Sequence, residues 1–247
     1  RLSLLSVFTA ALGFLVHDPL MPDISLFICL SIGTALAAGG AATLNQWMER
    51  KQDALMLRTS SRPLPAKLLS PHAAFCFGMF LSSLGLIILG LGTNFWATGF
   101  TFATLLIYLL FYTPLKKRSA WAIEVGAVAG ALPPLIGWVA AAGSPSAYGW
   151  ILFGILFTWQ LPHFMAIAWN FRDDYNKGGF KLHQLGDDTG YLLSRKSLLY
   201  TFFLSFLVFS PFFIESSQKV PGMFYFTSAS ILSLFLLLPA VSFFSSK

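Results

Sequence analysis

Charge is what this sequence has least of. Of its 247 residues only 11% are charged, while 56% are hydrophobic; soluble domains carry roughly 25% charged residues. The shortfall excludes an ordinary water-soluble domain and points to a chain that lives in lipid. Cysteine is nearly absent as well. Cys29 and Cys76 both lie in apolar runs, which excludes a disulfide framework or a cysteine metal centre and leaves two packed thiols as the expectation. The net charge of +6 sits in short loops between apolar runs rather than on one soluble face, so no nucleic acid partner is expected. A signal or transit peptide is not visible. The chain starts at Arg1 without Met, and the true N-terminus, with any targeting segment, is expected upstream.

What the sequence has in abundance is apolar runs. Eight can be drawn, each near the ~20 residues needed to cross a bilayer: 2–16, 24–45, 72–91, 95–113, 123–142, 148–169, 197–214 and 223–244. The 26 Phe residues suit lipid-facing helices or a greasy cavity. The expected fold is all-α, a polytopic membrane helical bundle, with residues 1–247 forming one domain. Asn45, Glu49 and Asp53 close the second run, and Asn170, Asp173 and Asp174 close the sixth. This faint repeat suggests two four-helix halves, about 1–113 and 123–244, whose polar clusters would meet at one mouth. Pro133, Pro134 and Pro162 fall inside runs, which predicts kinked or broken helices there.

Basic residues orient the bundle. The loops at 45–71, 114–122 and 170–197, together with Arg1 and Lys247, hold all of the 16 Lys and Arg except Lys219. By the positive-inside rule that side is cytoplasmic in a bacterium or matrix in a mitochondrion. The short loops favour a bacterial cytoplasmic membrane over a mitochondrial inner membrane.

The polar clusters suggest chemistry. Asn45, Glu49 and Asp53 are spaced i, i+4, i+8 in "NQWMERKQD" and would form one helical stripe about 12 Å long. Like charges at that spacing repel, and a divalent cation would relieve the repulsion. Mg²⁺ commonly joins one or two carboxylates to substrate phosphates. Arg58 and Arg62 lie just beyond, with guanidiniums suited to phosphate oxygens. The alternative is a solvated loop in which Asp53 pairs with Arg50 or Lys51. "NFRDDYNKGGFK", 170–181, repeats the chemistry with Arg172, Asp173 and Asp174, and Gly178-Gly179 would end its helix. "YTPLKKRS", 112–119, adds Tyr112, Lys116, Lys117 and Arg118 on the same side, as phosphate contacts or as a topology anchor. Glu124 is expected to pair with Lys117 or Arg118. "WQLPHF", 159–164, places Gln160 and His163 at membrane depth, where polar groups usually face the protein interior. His163 could contact a substrate, ligate iron or make a structural hydrogen bond.

The stripe "NQWMERKQD" resembles the first acidic motif of the UbiA superfamily of intramembrane prenyltransferases. With "RTSSRPLP", "YTPLKKRS", "GALPPLIGW" and "WQLPHFMAIAWNFRDDYNKGG" in order along nearly the whole chain, the likeness narrows to the heme-farnesylating branch, the heme O synthases. That resemblance implies a helical bundle around a central cavity, and nine spans rather than eight, so the last helix is expected beyond the chain. It implies farnesyl diphosphate as donor, heme B as acceptor, Mg²⁺ as cofactor, and a functional link to heme A synthase and cytochrome oxidase assembly. Asn45, Glu49, Asp53, Asp173 and Asp174 would then hold the metal. Arg58, Arg62, Tyr112, Lys116, Lys117, His163 and Arg172 would bind substrate. Two rivals remain: a related prenyltransferase with another aromatic acceptor, such as a quinone precursor or a chlorophyll-like ring, and a transporter with acids along an ion path.

Overall fold

The computed structural model describes residues 2–17, 22–182, 187, 189–214, 227, 229–234, 236–238 and 241. Among these there is no strand. The helices are α1 (Leu2–His17), α2 (Ile24–Asp53), α3 (Pro71–Gly92), α4 (Phe95–Leu115), α5 (Ala122–Ala142), α6 (Ala147–Asn170), the short α7 (Arg172–Lys177) and α8 (Tyr191–Ile214). Six of them, α2 to α6 and α8, are long and apolar enough to cross a membrane. α1 is a shorter apolar helix, and a further apolar helical stretch spans Ala229–Leu238. The expected eighth run, 223–244, lies largely outside the described residues.

Local signals set the helix starts. Asp23 caps α2 by accepting from the backbone N–H of Ser25 and Leu26. The Ser25 hydroxyl, together with these amides, holds the Asp23 carboxyl below its usual range. Ser70, Asn94 and Ser146 cap α3, α4 and α6 in the same way, as short polar side chains do at the orphan donors of a first turn. Lipid decides the rest. Large apolar side chains such as Phe8, Phe80, Leu91, Phe102 and Phe206 are exposed on the bundle's outside, which only an apolar solvent tolerates on this scale.

α5 is the hub. It packs against α1, α4 and α6, and nearly all of its residues from Ala127 to Ala140 are buried. It runs unbroken through Pro133 and Pro134, as α6 does through Pro162, so the expected breaks are absent. α1 comes close enough at this point that a Cβ on Gly13 would collide with the Pro134 carbonyl; tight helix contact holds the segment in place where the missing N–H groups would weaken it. The α2–α3 seam also needs small residues. A Cβ on Gly85 would lie 2.6 Å from both the Ala37 nitrogen and the Gly33 oxygen, the close approach typical of membrane helix pairs. The thiols depart from expectation: Cys29 is half-buried, but Cys76 is exposed rather than packed.

Candidate active site

α2 carries 30 residues, about 45 Å of helix, against a hydrocarbon core of about 30 Å. Its helix therefore continues where its apolar run stops. That continuation keeps Asn45, Glu49 and Asp53 in register on one face, and the face points into the protein. All three are buried, Asp53 to 1% exposure. The solvated-loop alternative is thereby excluded for these residues.

Each member of the stripe has a partner from elsewhere in the chain. The Asn45 amide donates to the Thr113 hydroxyl at 3.0 Å, and Thr113 in turn donates to the Tyr108 carbonyl at 2.8 Å. That carbonyl belongs to a π-helical stretch, Ile107–Tyr112, inside α4. Glu49 meets Lys116, whose ammonium nitrogen lies 2.6 Å from Oε1 and 2.7 Å from Oε2. Only Oε2 has hydrogen-bond geometry; Oε1 is buried without such a bond, as is Oε1 of Gln52. Lys116 also sits over the rings of Tyr112 and Phe180, at 4.7 and 5.3 Å. Asp53 pairs with Arg62 at 2.8 Å, not with Arg50 or Lys51. Arg50 donates instead to the Trp47 carbonyl.

The second acidic segment differs. α6 ends at Asn170, and Phe171 (φ −109°, ψ 22°) separates it from α7. Asn170 and Asp174 therefore do not share one helix, contrary to their spacing. Asp174 accepts from the Leu57 backbone N–H at 2.9 Å, and Arg58 donates to the Tyr175 hydroxyl at 3.1 Å. These two bonds tie the segment after α2 to α7, so the acidic segments do meet on one side of the bundle. Gly178 follows α7 and closes against Met56, while Gly179 takes φ +72°, a conformation in which a side chain is strained. The turn returns the chain so that Lys181 N–H donates to the Lys116 carbonyl at 2.7 Å. Phe180 is thereby seated against the Lys116 ammonium.

The remaining candidates are less engaged. Asp173 is exposed and enters none of these bonds among the described residues. Lys117 is half-buried and forms no ion pair among them. Arg58 and Arg62 do not act as one helical pair; the chain between them is a run of turns, and they face Tyr175 and Asp53 respectively. Arg172 lies 4.6 Å over the Trp169 ring and donates to the Trp169 carbonyl. Glu124 pairs with Lys196 at 3.1 Å, which overturns its expected pairing with Lys117 or Arg118.

Below the acidic stripe, between α1, α2, α4, α5 and α6, lies a cavity of about 280 Å³. Its walls are mainly apolar and small, with Ala37, Ala41, Gly126 and Gly130 giving it room, and Tyr108, Tyr112, Trp159 and Phe164 bring aromatic rings to it. Tyr112 thus touches both regions: its ring carries the Lys116 ammonium and its side chain lines the cavity. Tyr108 went unnoticed in the sequence, although it sits four residues from Tyr112 and their rings lie 5.4 Å apart. Tyr175 and Phe180 were also missed, and no spacing rule would have joined them to residues more than sixty positions away.

A metal fits this donor set as a shared ligand rather than a caged one. Among the described residues no three His, Cys, Asp or Glu groups converge as a self-sufficient metal centre. Hard oxygen donors are nevertheless present: the carboxylates of Glu49 and Asp53, each paired with a cation, and Oε1 of Gln52, buried without a hydrogen bond. One or two carboxylates completed by substrate phosphates is the usual arrangement for Mg²⁺.

Residues 6–247 match the UbiA prenyltransferase family, and the chain belongs to it. The protoheme IX farnesyltransferase of Opitutus terrae is 42% identical over 98% of this chain and 81% of its own length. Among solved structures, a digeranylgeranylglyceryl phosphate synthase superposes with a TM-score of 0.79 at 17% identity, over 96% of this chain and 81% of its own. A UbiA homologue from Archaeoglobus fulgidus bound to DMAPP and Mg²⁺ gives 0.72 at 14% identity, over 98% and 82%. The likeness to these two is one of fold. The chain is accordingly a multi-pass integral membrane protein.

Proposed function

We propose that this protein is a protoheme IX farnesyltransferase: it transfers the farnesyl group of farnesyl diphosphate to a vinyl group of heme B and yields heme O. The observation that carries the reading is the buried stripe of Glu49 and Asp53, each held by a cation, at the head of an aromatic, apolar cavity. The name of the Opitutus relative supports the choice of donor and acceptor.

The division of labour follows from the chemistry. The diphosphate belongs with Asn45, Glu49, Asp53 and Asp174 at the polar end, and the isoprenoid chain belongs in the cavity. Magnesium, when bound, supplies positive charge that stabilises the departing diphosphate. Lys116, Arg62 and Arg58 add theirs at the phosphate oxygens, where a preorganised charge is worth most as negative charge grows. The carbon–oxygen bond breaks with its electrons leaving on diphosphate. Tyr108, Tyr112, Trp159 and Phe164 offer ring faces to the allylic cation, and the apolar walls keep water from trapping it early. The vinyl π electrons then form the new carbon–carbon bond. Water adds to the resulting cation and loses a proton, leaving a hydroxyethylfarnesyl group.

The basic loops are on the cytoplasmic side of a bacterial membrane in this reading. Ser60 and Ser144, both exposed, should take cysteine label from opposite sides. In this reading each of the two halves, about 1–113 and 123–244, contributes one acidic segment to the shared mouth. Incubating the purified chain in liposomes with labelled farnesyl diphosphate, Mg²⁺ and heme B tests the activity. Heme O is the expected product. A different prenylated product would reassign the acceptor, and no prenyl transfer to any acceptor would overturn the reading.

A further inference from the structure

A second cavity, of about 440 Å³, opens between α6 and α8. It is not the one beneath the acidic stripe, but the two share a wall: Trp159 and His163 line both. The remaining lining includes Trp169, Asn170, Ser197 and Thr201, with Leu204 and Leu236 as apolar wall, so it is more polar than the first. We propose that this chamber takes the porphyrin of the acceptor and that His163 is the axial ligand of its iron. The proposal rests on the heme reading given above and adds a place and a ligand to it.

His163 is an imidazole with nothing else to do. It lies within a membrane-spanning helix, where a polar side chain is costly unless it has a partner or a function. Among the described residues it makes no hydrogen bond; its neighbours are rings, Trp159 stacked at 5.4 Å and Phe164 at 5.8 Å. Gln160, one residue from Trp159 and equally polar, shows the contrast, because its amide is satisfied by the Leu156 carbonyl. His163 is also exposed to the cavity space rather than packed away. An imidazole whose ring nitrogens make no hydrogen bond suits an iron, and the Trp159 ring stacked parallel to it at 14° would hold the plane of such a ligand upright against the porphyrin.

The ends of the chamber match the ends of such a ligand. Asn170 lies seven residues beyond His163 towards the basic side, about 10 Å along the helix. Arg172, just outside the lining, stands over the ring of the lining residue Trp169 and donates to its carbonyl; its guanidinium would suit a carboxylate at that end. Heme B carries its propionates on one edge and its vinyl groups away from them. Iron at His163 with propionates towards Arg172 leaves a vinyl edge pointing deeper, beside the shared wall. Because Trp159 and His163 border both cavities, a vinyl edge beside them lies next to the donor cavity.

The test is a titration of the purified full chain with ferric heme B, read at the Soret band. The wild-type chain should bind with the band of a histidine-ligated heme. His163→Ala should lose affinity by about 10-fold or more, with a shifted band, and added imidazole should restore the band. His163→Met should give the distinct spectrum of a thioether ligand. Ala166→Phe projects a ring into the same chamber from an exposed position and should weaken heme binding while leaving Mg²⁺–farnesyl diphosphate binding intact. Unchanged affinity and band in His163→Ala overturns the ligand assignment, and unchanged heme binding in Ala166→Phe overturns the chamber. A wild-type chain that takes up no heme at all defeats the acceptor reading itself, which keeps the two failures apart.

Discussion

On α2 the carboxylates of Glu49 and Asp53 are buried and each is clamped by a cation from another part of the chain. On α7, Asp173 is exposed, and Asp174 is held by a backbone amide from the segment after α2. Both segments are acidic, both follow a membrane span, and both face the same side. One is a fixed part of the bundle, and the other is a cap laid over it. The difference teaches where the charge sits when the site works: the α2 stripe is preorganised, as electrostatic stabilisation requires, while α7 brings one carboxylate to it through a single hydrogen bond.

Breaking the α2 side of the comparison should have the largest effect on stability. Lys116→Met leaves the Glu49 carboxylate buried without its cation. Removing one partner of a buried pair typically costs about 3–5 kcal/mol, so the melting temperature in detergent should drop by many degrees. If it does not, Glu49 is better solvated than its 4% side-chain exposure indicates. On the α7 side, Asp174→Asn keeps an acceptor for the Leu57 amide and loses a charge. Stability should fall by about 1 kcal/mol and turnover by about 10- to 100-fold, as measured by heme O formation at matched protein levels. A turnover equal to wild type would leave Asp174 as a loop tie alone. Smallest of all should be Asp173→Asn. The residue is exposed, and substitutions at such places usually stay within about 0.5 kcal/mol. A large activity loss there would mean that α7 presents both of its acids to the substrate.

Much of this was legible in the sequence. Among the described residues the apolar runs gave most helix ends within a few residues, the end of α2 and the start of α8 being the exceptions, because charge, proline and capping residues bound them. The spacing of Asn45, Glu49 and Asp53 gave the stripe. Hydropathy, however, reports where lipid ends, not where a helix ends, so the last two turns of α2 were open to two readings, a helical stripe or a solvated loop. The partners were out of reach for a different reason. Lys116 is 67 residues from Glu49, and Leu57 is 117 from Asp174; no local rule pairs them, and Glu124 was matched to the nearest cations when it takes Lys196. At the prolines of α5 and α6 a local rule expected a kink or a break, and both helices run through without a break. Cys76 was read as packed because it lies in an apolar run, yet in a membrane protein an apolar residue can equally face lipid.

The central claim is that Asp53 belongs to the metal–diphosphate site and is not merely one half of a structural pair. Asp53→Asn keeps the size of the side chain and removes its charge. Arg62 is partly exposed, at 36% of its side chain, and can turn to water, so the loss of stability should stay near 1–2 kcal/mol. Heme O formation should be measured in membranes holding matched amounts of wild type and variant, with saturating farnesyl diphosphate, Mg²⁺ and heme B. A fall in turnover of about 100- to 1,000-fold is the predicted result. Near-normal turnover in a variant that is present and folded would contradict the account, and would leave the Asp53–Arg62 pair as part of the scaffold.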